Sequence, residues 1–158
     1  MAKSNEKDTV RSIASNRKAH HDYFIISTYE MGIVLKGTEV KSLRAGKANL
    51  QDSYADIERG ELWVYNLHIS PFEKGNIFNH EPKRKRKLLA HKSEIRKLTG
   101  KIKEKGLTLV PLSLYFSDRN VKIELGLAKG KHSYDKRETM KKKETEREMR
   151  IHMKRTNE

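Results

Sequence analysis

The chain has 158 residues, enough for one domain with a proper core and too few for two ordinary ones; hydrophobic and charged residues each make up 35%. Cys is absent, which excludes disulfides and thiolate metal sites, and no apolar run is long enough for a membrane span or the core of a signal peptide. The formal net charge of +14 draws polyanions, so composition alone predicts a cytoplasmic binder of nucleic acid, an anionic membrane or an acidic protein.

Residues 1–12, "MAKSNEKDTVRS", have little to bury and are expected to form a flexible arm. "DYFIIS" and "MGIVLK" are β-branched and aromatic runs separated by "TYE", which predicts a hairpin. "GTEVKSLRAG" predicts a short helix with Thr38 as N-cap, Val40 and Leu43 on one face, and Gly46 at its C-terminal end. "SYADIE" and "ELWVYNLHIS" around "RG" predict a second hairpin, and "LTLVPLSLYF" and "VKIELGLA" around "SDRN" a third. In the last strand Val121, Ile123, Leu125 and Leu127 point one way while Lys122 and Glu124 point the other. Pro111 lacks an N–H and belongs at an edge or a bulge. Between the last two hairpins, Ile95, Leu98 and Ile102 recur at helical spacing and Gly106 ends the helix. The fold expected is mainly β with flanking helices: an OB-like, six-stranded antiparallel β-barrel over residues 13–134, followed by a tail over 135–158.

The densest basic segment runs from Lys83 to Lys105, with 11 Lys+Arg against 2 Asp+Glu. It includes Arg84, Arg86 and Lys87 and leads into the helix whose other face is apolar, so its charges would be held on a rigid element. Phosphate contact is the functional reading, a solvated face the bland one, and phosphate binding would weaken steeply with salt. Lys41, Arg44 and Lys47 form a second cluster, and Lys129 and Lys131 flank Gly130 after the last strand. The strand aromatics Tyr23, Tyr54, Trp63, Tyr65, Tyr115 and Phe116 are expected mostly in the core, though any left on an open face would suit base stacking. Catalysis has little support. The seven histidines show no metal-ligand spacing, and no phosphate loop or nucleophile elbow accompanies Glu30 and Glu39, which are better read as buried or paired. No cofactor is implied.

The segments "SNRKAHHDYFI", "YEMGIVLKGTEVKSLRAGKANLQDSYA", "LHISPF", "KRKLLAHKSEIRKL", "LVPLSLYF" and "VKIELGLAKGKHSYDKR" resemble the SmpB family, the SsrA-binding proteins of bacteria. The match runs from about Asn16 to Arg137 without a large gap; Ala90, where the family more often has an aliphatic residue, is a mild departure. The resemblance implies an OB-like barrel that binds the tRNA-like part of transfer-messenger RNA and brings it to stalled ribosomes, with no catalysis of its own. Partners so implied are that RNA in its alanyl-charged form, elongation factor Tu, and the ribosome's decoding centre, rRNA and mRNA channel; no membrane is involved and the protein is expected as a monomer. RNA contacts carried over are Asn16, His21, Glu30, Leu89, Lys129 and Lys131, with Lys18 in the same basic loop as Asn16.

The tail holds 9 Lys+Arg against 6 Asp+Glu in 24 residues. Its residues favour helix, with Glu138–Lys142 and Glu146–Arg150 as i, i+4 pairs, yet no apolar stripe runs along it. It is expected to be disordered when free and helical when bound. The resemblance places Tyr134, Asp135, Lys136 and Arg137 near the decoding site, with Ile151 and Met153 anchoring farther along the empty message channel. Two other readings stay open from sequence: a structural ribosomal or assembly protein, and an RNA phosphodiesterase.

Overall fold

The computed structural model describes residues 10–72, 80–131 and 133–156. Along the chain it forms β1 (Val10–Ser15), α1 (Arg17–Asp22), β2 (Tyr23–Ile33), α2 (Gly37–Arg44), β3 (Ala48–Asn49), β4 (Tyr54–Glu58) and β5 (Glu61–Tyr65). β6 (His68–Ile69), β7 (Arg86–Leu89), α3 (Lys92–Lys105), β8 (Thr108–Ser117), β9 (Asn120–Gly130) and α4 (Ser133–Thr156) follow. Six strands close on themselves in the order β8-β4-β5-β7-β2-β9, because β9 also pairs with β8; β1 joins β8 from outside the ring. Every pairing in the ring is antiparallel, and β3 and β6 form a separate small ribbon.

Alternation puts the apolar half of each strand inside. In β9, Val121, Ile123, Leu125 and Leu127 are buried as expected, and they pack with Leu62, Val64, Leu88, Leu109 and Leu114. Pro111 sits at a register shift between β8 and β9, where a ladder hydrogen bond is not required of it. α3 turns Ile95 and Leu98 into the same core and ends at Gly106, whose φ of 59° is left-handed, as is the 70° of Gly46 after α2.

Three expectations are corrected. "DYFIIS" and "MGIVLK" are one strand, β2, with "TYE" in mid-ladder: Thr28 faces Gly126, Tyr29 faces Leu125 and Glu30 faces Glu124. "TYE" offers no Gly, Pro or Asn to reverse the chain, and a bulge between Ile25 and Ser27 bends the strand instead. The ring still has six strands because β7, within the basic run, supplies the missing one through buried Arg86 and Leu88. Residues 10–12 of the expected arm belong to β1, paired through Val10–Ser117, Arg11–Phe116 and Ser12–Tyr115; residues 1–9 lie outside the described ones. The N-cap of α2 is Lys36 rather than Thr38, its N–H donating to the Glu39 carboxylate at 2.8 Å.

Glu39 is the hinge of a buried polar network. Arg86 lies 2.5 Å from its Oε2, both side chains have no exposed surface, and Arg84 donates to its Oε1. The rest of the Arg86 guanidinium donates to the carbonyls of Leu67 (2.6 Å), Arg84 (3.1 Å) and Pro82 (3.1 Å), so the buried cation is well satisfied. Beside it His80 bonds the Ile69 carbonyl at 2.9 Å and approaches Thr38 Oγ1 at 3.4 Å. One carboxylate thereby ties α2 to β7 and the segment entering it, and through Arg86 to the Leu67 carbonyl just before β6.

Burial alone pushes the Glu39 carboxyl up, but the Arg84 hydrogen bond, the Lys36 N–H and the Arg86 charge outweigh it and hold it below the ordinary 4.5. A carboxyl depressed by folding stabilises the fold above its unfolded value, and that contribution is lost as pH falls toward the folded value. Thermal melts are therefore expected to lose stability below pH 4.5 more steeply in the native chain than in Glu39→Gln. At neutral pH Arg86→Met, which leaves the buried Oε2 of Glu39 without its partner, is expected to cost about 3–5 kcal/mol.

Candidate nucleic-acid interface

The cationic side chains fall into groups on the outside of the ring. On α2 and its exit, Lys41, Arg44 and Lys47 are exposed, and the Lys41 ammonium lies 5.4 Å from the centre of the Phe72 ring. Lys83 and Lys85 are exposed before β7, and Lys92, Arg96, Lys97, Lys101, Lys103 and Lys105 line the outer face of α3. Arg86 does not belong to this surface: it is fully buried on Glu39, because a cation at the start of a strand with its side chain inward must be paired. Arg84 is half-buried on the same carboxylate, with 23% of its side chain exposed. Lys87 points outward and pairs with Glu61 at 3.2 Å. Of the basic run before α3, the odd positions therefore face outward, Lys85 and Lys87 each beside a surface carboxylate.

Segments far apart in sequence meet at the start of β2. Gly130 pairs with Tyr23, the Lys131 N–H donates to the Asp22 carbonyl at 2.9 Å, and its ammonium reaches the His20 carbonyl at 3.3 Å. The same ammonium lies 4.8 Å from the half-exposed Phe24 ring. Lys18, His21, exposed Lys129 and Lys131 thus share one region, where His21 Nδ1 is 3.0 Å from the Asp22 carboxylate. Asn16 is placed here but turned inward, only 6% exposed. Its Oδ1 accepts from the Ala19 N–H at 3.2 Å, capping α1, and its amide donates to the carbonyls of Pro111 (2.9 Å) and Leu50 (3.3 Å). Both ends of the side chain are occupied, so Asn16 sets the shape of the loop that presents Lys18 and His21.

Glu30 and Leu89 meet at a different place. Both line a cleft of about 540 Å3 between β2, β7 and the start of α3, together with Glu61 and Lys122. Leu89 is 56% exposed, and Glu30 accepts the Tyr115 hydroxyl. Desolvation, that hydrogen bond and the Glu30 and Glu124 charges push the Tyr115 phenol far above its ordinary value. The tail is the single helix α4; Arg137 is exposed on it, as are Met140, Met149, Ile151 and Met153 farther along. The side chains of Tyr134, Asp135 and Lys136 lie outside what the structure describes.

The aromatics depart from the expected core placement. Phe116 is buried, but Tyr54 is 42% exposed and its ring stacks on Tyr65 at 5.2 Å and 16°. Lys85 Nζ lies 4.6 Å from the Trp63 ring centre. Alternation was the signal: Ala55 and Ile57 turn inward, so Tyr54, Asp56 and Glu58 must turn out. Among the described residues no group of three His, Asp or Glu is arranged to hold a metal, and no helix is long and apolar enough to cross a membrane.

A closed antiparallel ring with cations arrayed on its loops and helices defines a basic β protein made to meet polyanions. The chain belongs to the SmpB family, whose model matches residues 13–155. It is 63% identical to an SsrA-binding protein of Desulforudis audaxviator over 149 residues, covering 94% of this chain and 95% of that one. Against an SsrA-binding protein of Carboxydothermus hydrogenoformans identity is 68% over 137 residues, 87% of this chain and 92% of that one. A solved chain from "tmRNA-SmpB: a journey to the center of the bacterial ribosome" matches with a TM-score of 0.64 and 59% identity, covering 76% of this chain and 85% of the other.

The Tyr65 hydroxyl donates to Glu58 at 2.6 Å, and this bond, with partial burial and the carboxylate's charge, pushes the phenol up to about 12. In Glu58→Gln the charged acceptor is gone, so Tyr65 is expected to titrate lower than in the native chain, moving back toward the ordinary 10.0, read from its ring carbon shifts on titration with base.

Proposed function

We propose that this chain is the RNA-binding adaptor of trans-translation: it binds the tRNA-like part of transfer-messenger RNA and delivers it to stalled ribosomes, allowing rescue and tagging of the unfinished peptide. The observation that carries this is membership of the SmpB family over residues 13–155, in a chain whose basic groups ring a closed sheet. In this reading the ring is an OB-like barrel. Lys18, His21, Lys129 and Lys131 hold phosphates on one side, and Glu30 and Leu89 give orientation and an apolar contact on another. Lys41, Arg44, Lys47 and Lys87 add charge, whereas Asn16, Arg84 and Arg86 act through the loops they brace. The adaptor has no catalytic step. It works in the cytoplasm as a monomer, in company with elongation factor Tu and the alanyl-charged RNA.

The tail is the second part of the machine. Apart from Met140, Met149, Ile151 and Met153, its described side chains beyond Arg137 are polar, and such a helix gains little by docking on its own domain. It orders when a polyanionic channel surrounds it, at a cost of about 2–5 kcal/mol drawn from binding. The ribosome's empty message channel is that surrounding, with Tyr134 to Arg137 nearest the decoding centre and Ile151 and Met153 deeper.

The two parts are separable by experiment. A chain lacking residues 135–158 is expected to bind isolated transfer-messenger RNA with unchanged affinity and to lose tagging on stalled ribosomes; loss of RNA binding on truncation would refute the division of labour. Lys129→Ala is expected to weaken RNA binding and lower the slope of log affinity against log salt by about one.

A further inference from the structure

The chain has no cysteine, so its sulfur chemistry rests with methionine alone. Among the described residues the methionines divide by place. Met31 is buried in the core of the ring, whereas Met140, Met149 and Met153 all lie on α4, the last two 60% and 64% exposed. With Ile151 these three are the apolar side chains described on that helix.

Helical spacing sorts the four onto two faces. Met149 and Met153 stand at i, i+4, one above the other. Met140 and Ile151 lie about three turns apart on the opposite side. One face therefore carries thioethers only, while the other keeps an aliphatic residue that mild oxidants leave alone. In a helix otherwise polar, the two sulfurs of the first face hold all the apolar contact that face can offer a partner.

We infer that Met149 and Met153 form a peroxide-sensitive modification site, and that its oxidation loosens the tail's hold on the ribosome. Each thioether sulfur attacks one oxygen of hydrogen peroxide; the O–O bond breaks, an S–O bond forms, and the other oxygen leaves as water. The sulfur loses two electrons and the peroxide gains them. A thiol-dependent sulfoxide reductase reverses the step, the oxygen leaving as water while two thiols join in a disulfide. The sulfoxide is polar and neutral, so it withdraws apolar contact without changing the charge of the tail. The ionic part of binding stays and the apolar part goes. The functional consequence rests on the adaptor reading of the tail; the exposure of the sulfurs does not.

The test treats the full chain with hydrogen peroxide and maps the added oxygen by peptide mass spectrometry. Treated and untreated samples are then assayed on stalled ribosomes and on isolated transfer-messenger RNA. One oxygen is expected at each of Met149 and Met153, with Met31 unmodified. Ribosome binding should weaken by about tenfold, with an unchanged slope of log affinity against log salt, and sulfoxide reductase with a dithiol should restore it. Binding to the isolated RNA should not respond to peroxide. In the Met149→Leu, Met153→Leu chain, whatever its starting affinity, treated and untreated samples should bind ribosomes alike. The Met149→Gln, Met153→Gln chain should bind weakly with no oxidant present. Undiminished ribosome binding by native chain carrying both oxygens, an equal peroxide loss in the leucine variant, or native-like binding by the glutamine variant would overturn the switch. If untreated native chain does not engage stalled ribosomes, the adaptor reading of the tail falls and the switch falls with it. If it does engage them and the oxidised chain engages them equally, the switch alone falls.

Discussion

The Glu39–Arg86 pair is the constraint on which the surface depends. A chain this basic must keep its cations apart and outward, yet one guanidinium of the densest basic run sits wholly inside the protein. It stays there because Glu39 neutralises it and three backbone carbonyls complete its hydrogen bonds. An ion pair of this kind adds little stability over a well-packed apolar pair, but it is costly to break, and so it specifies one arrangement. That arrangement orients α2 against β7, which in turn fixes where Lys41, Arg44, Lys83 and Lys85 point.

Ring closure does the complementary work. Because the strands leave few free edges, the outside is available for charge and for rigid aromatics rather than for covering segments. Several of the carboxylates outside are occupied by neighbours: Glu58 by Tyr65 and Lys85, Glu61 by Lys87, Glu30 by Tyr115. Each neutralises a local cation or holds a phenol in place, so the acidic groups shape the basic surface while subtracting little from its reach.

Much of this was legible in the sequence. The strict alternation of Val121 to Leu127 predicts the most regular strand, the Ile95–Leu98–Ile102 spacing predicts α3, and both glycine helix ends follow from positions just past the last periodic residue. What sequence could not show is direction within a mixed run. Alternating "KRKRK" reads as uniform surface charge until the inward neighbours Arg86 and Leu88 reveal a strand. The sequence divides β2 because two apolar runs flank a polar triplet, although half-buried Tyr29 continues the period from Ser27 to Met31. Family resemblance marks Asn16 as an RNA contact, but the sequence does not show it as a cap, since its partners Pro111 and Leu50 are supplied only by the fold. The outward aromatics of β4 and β5 were hidden by the expectation that tyrosine and tryptophan on strands belong in the core.

The central claim is that this basic ring recognises one folded RNA rather than polyanions at large. Its most direct test is capture of the full chain from a bacterial lysate at physiological salt, with the bound RNA sequenced. One dominant species carrying a tRNA-like acceptor end is expected, recovered even after ribosomes are removed by centrifugation. Recovery of bulk rRNA alone, with no enrichment of such an RNA, would contradict it.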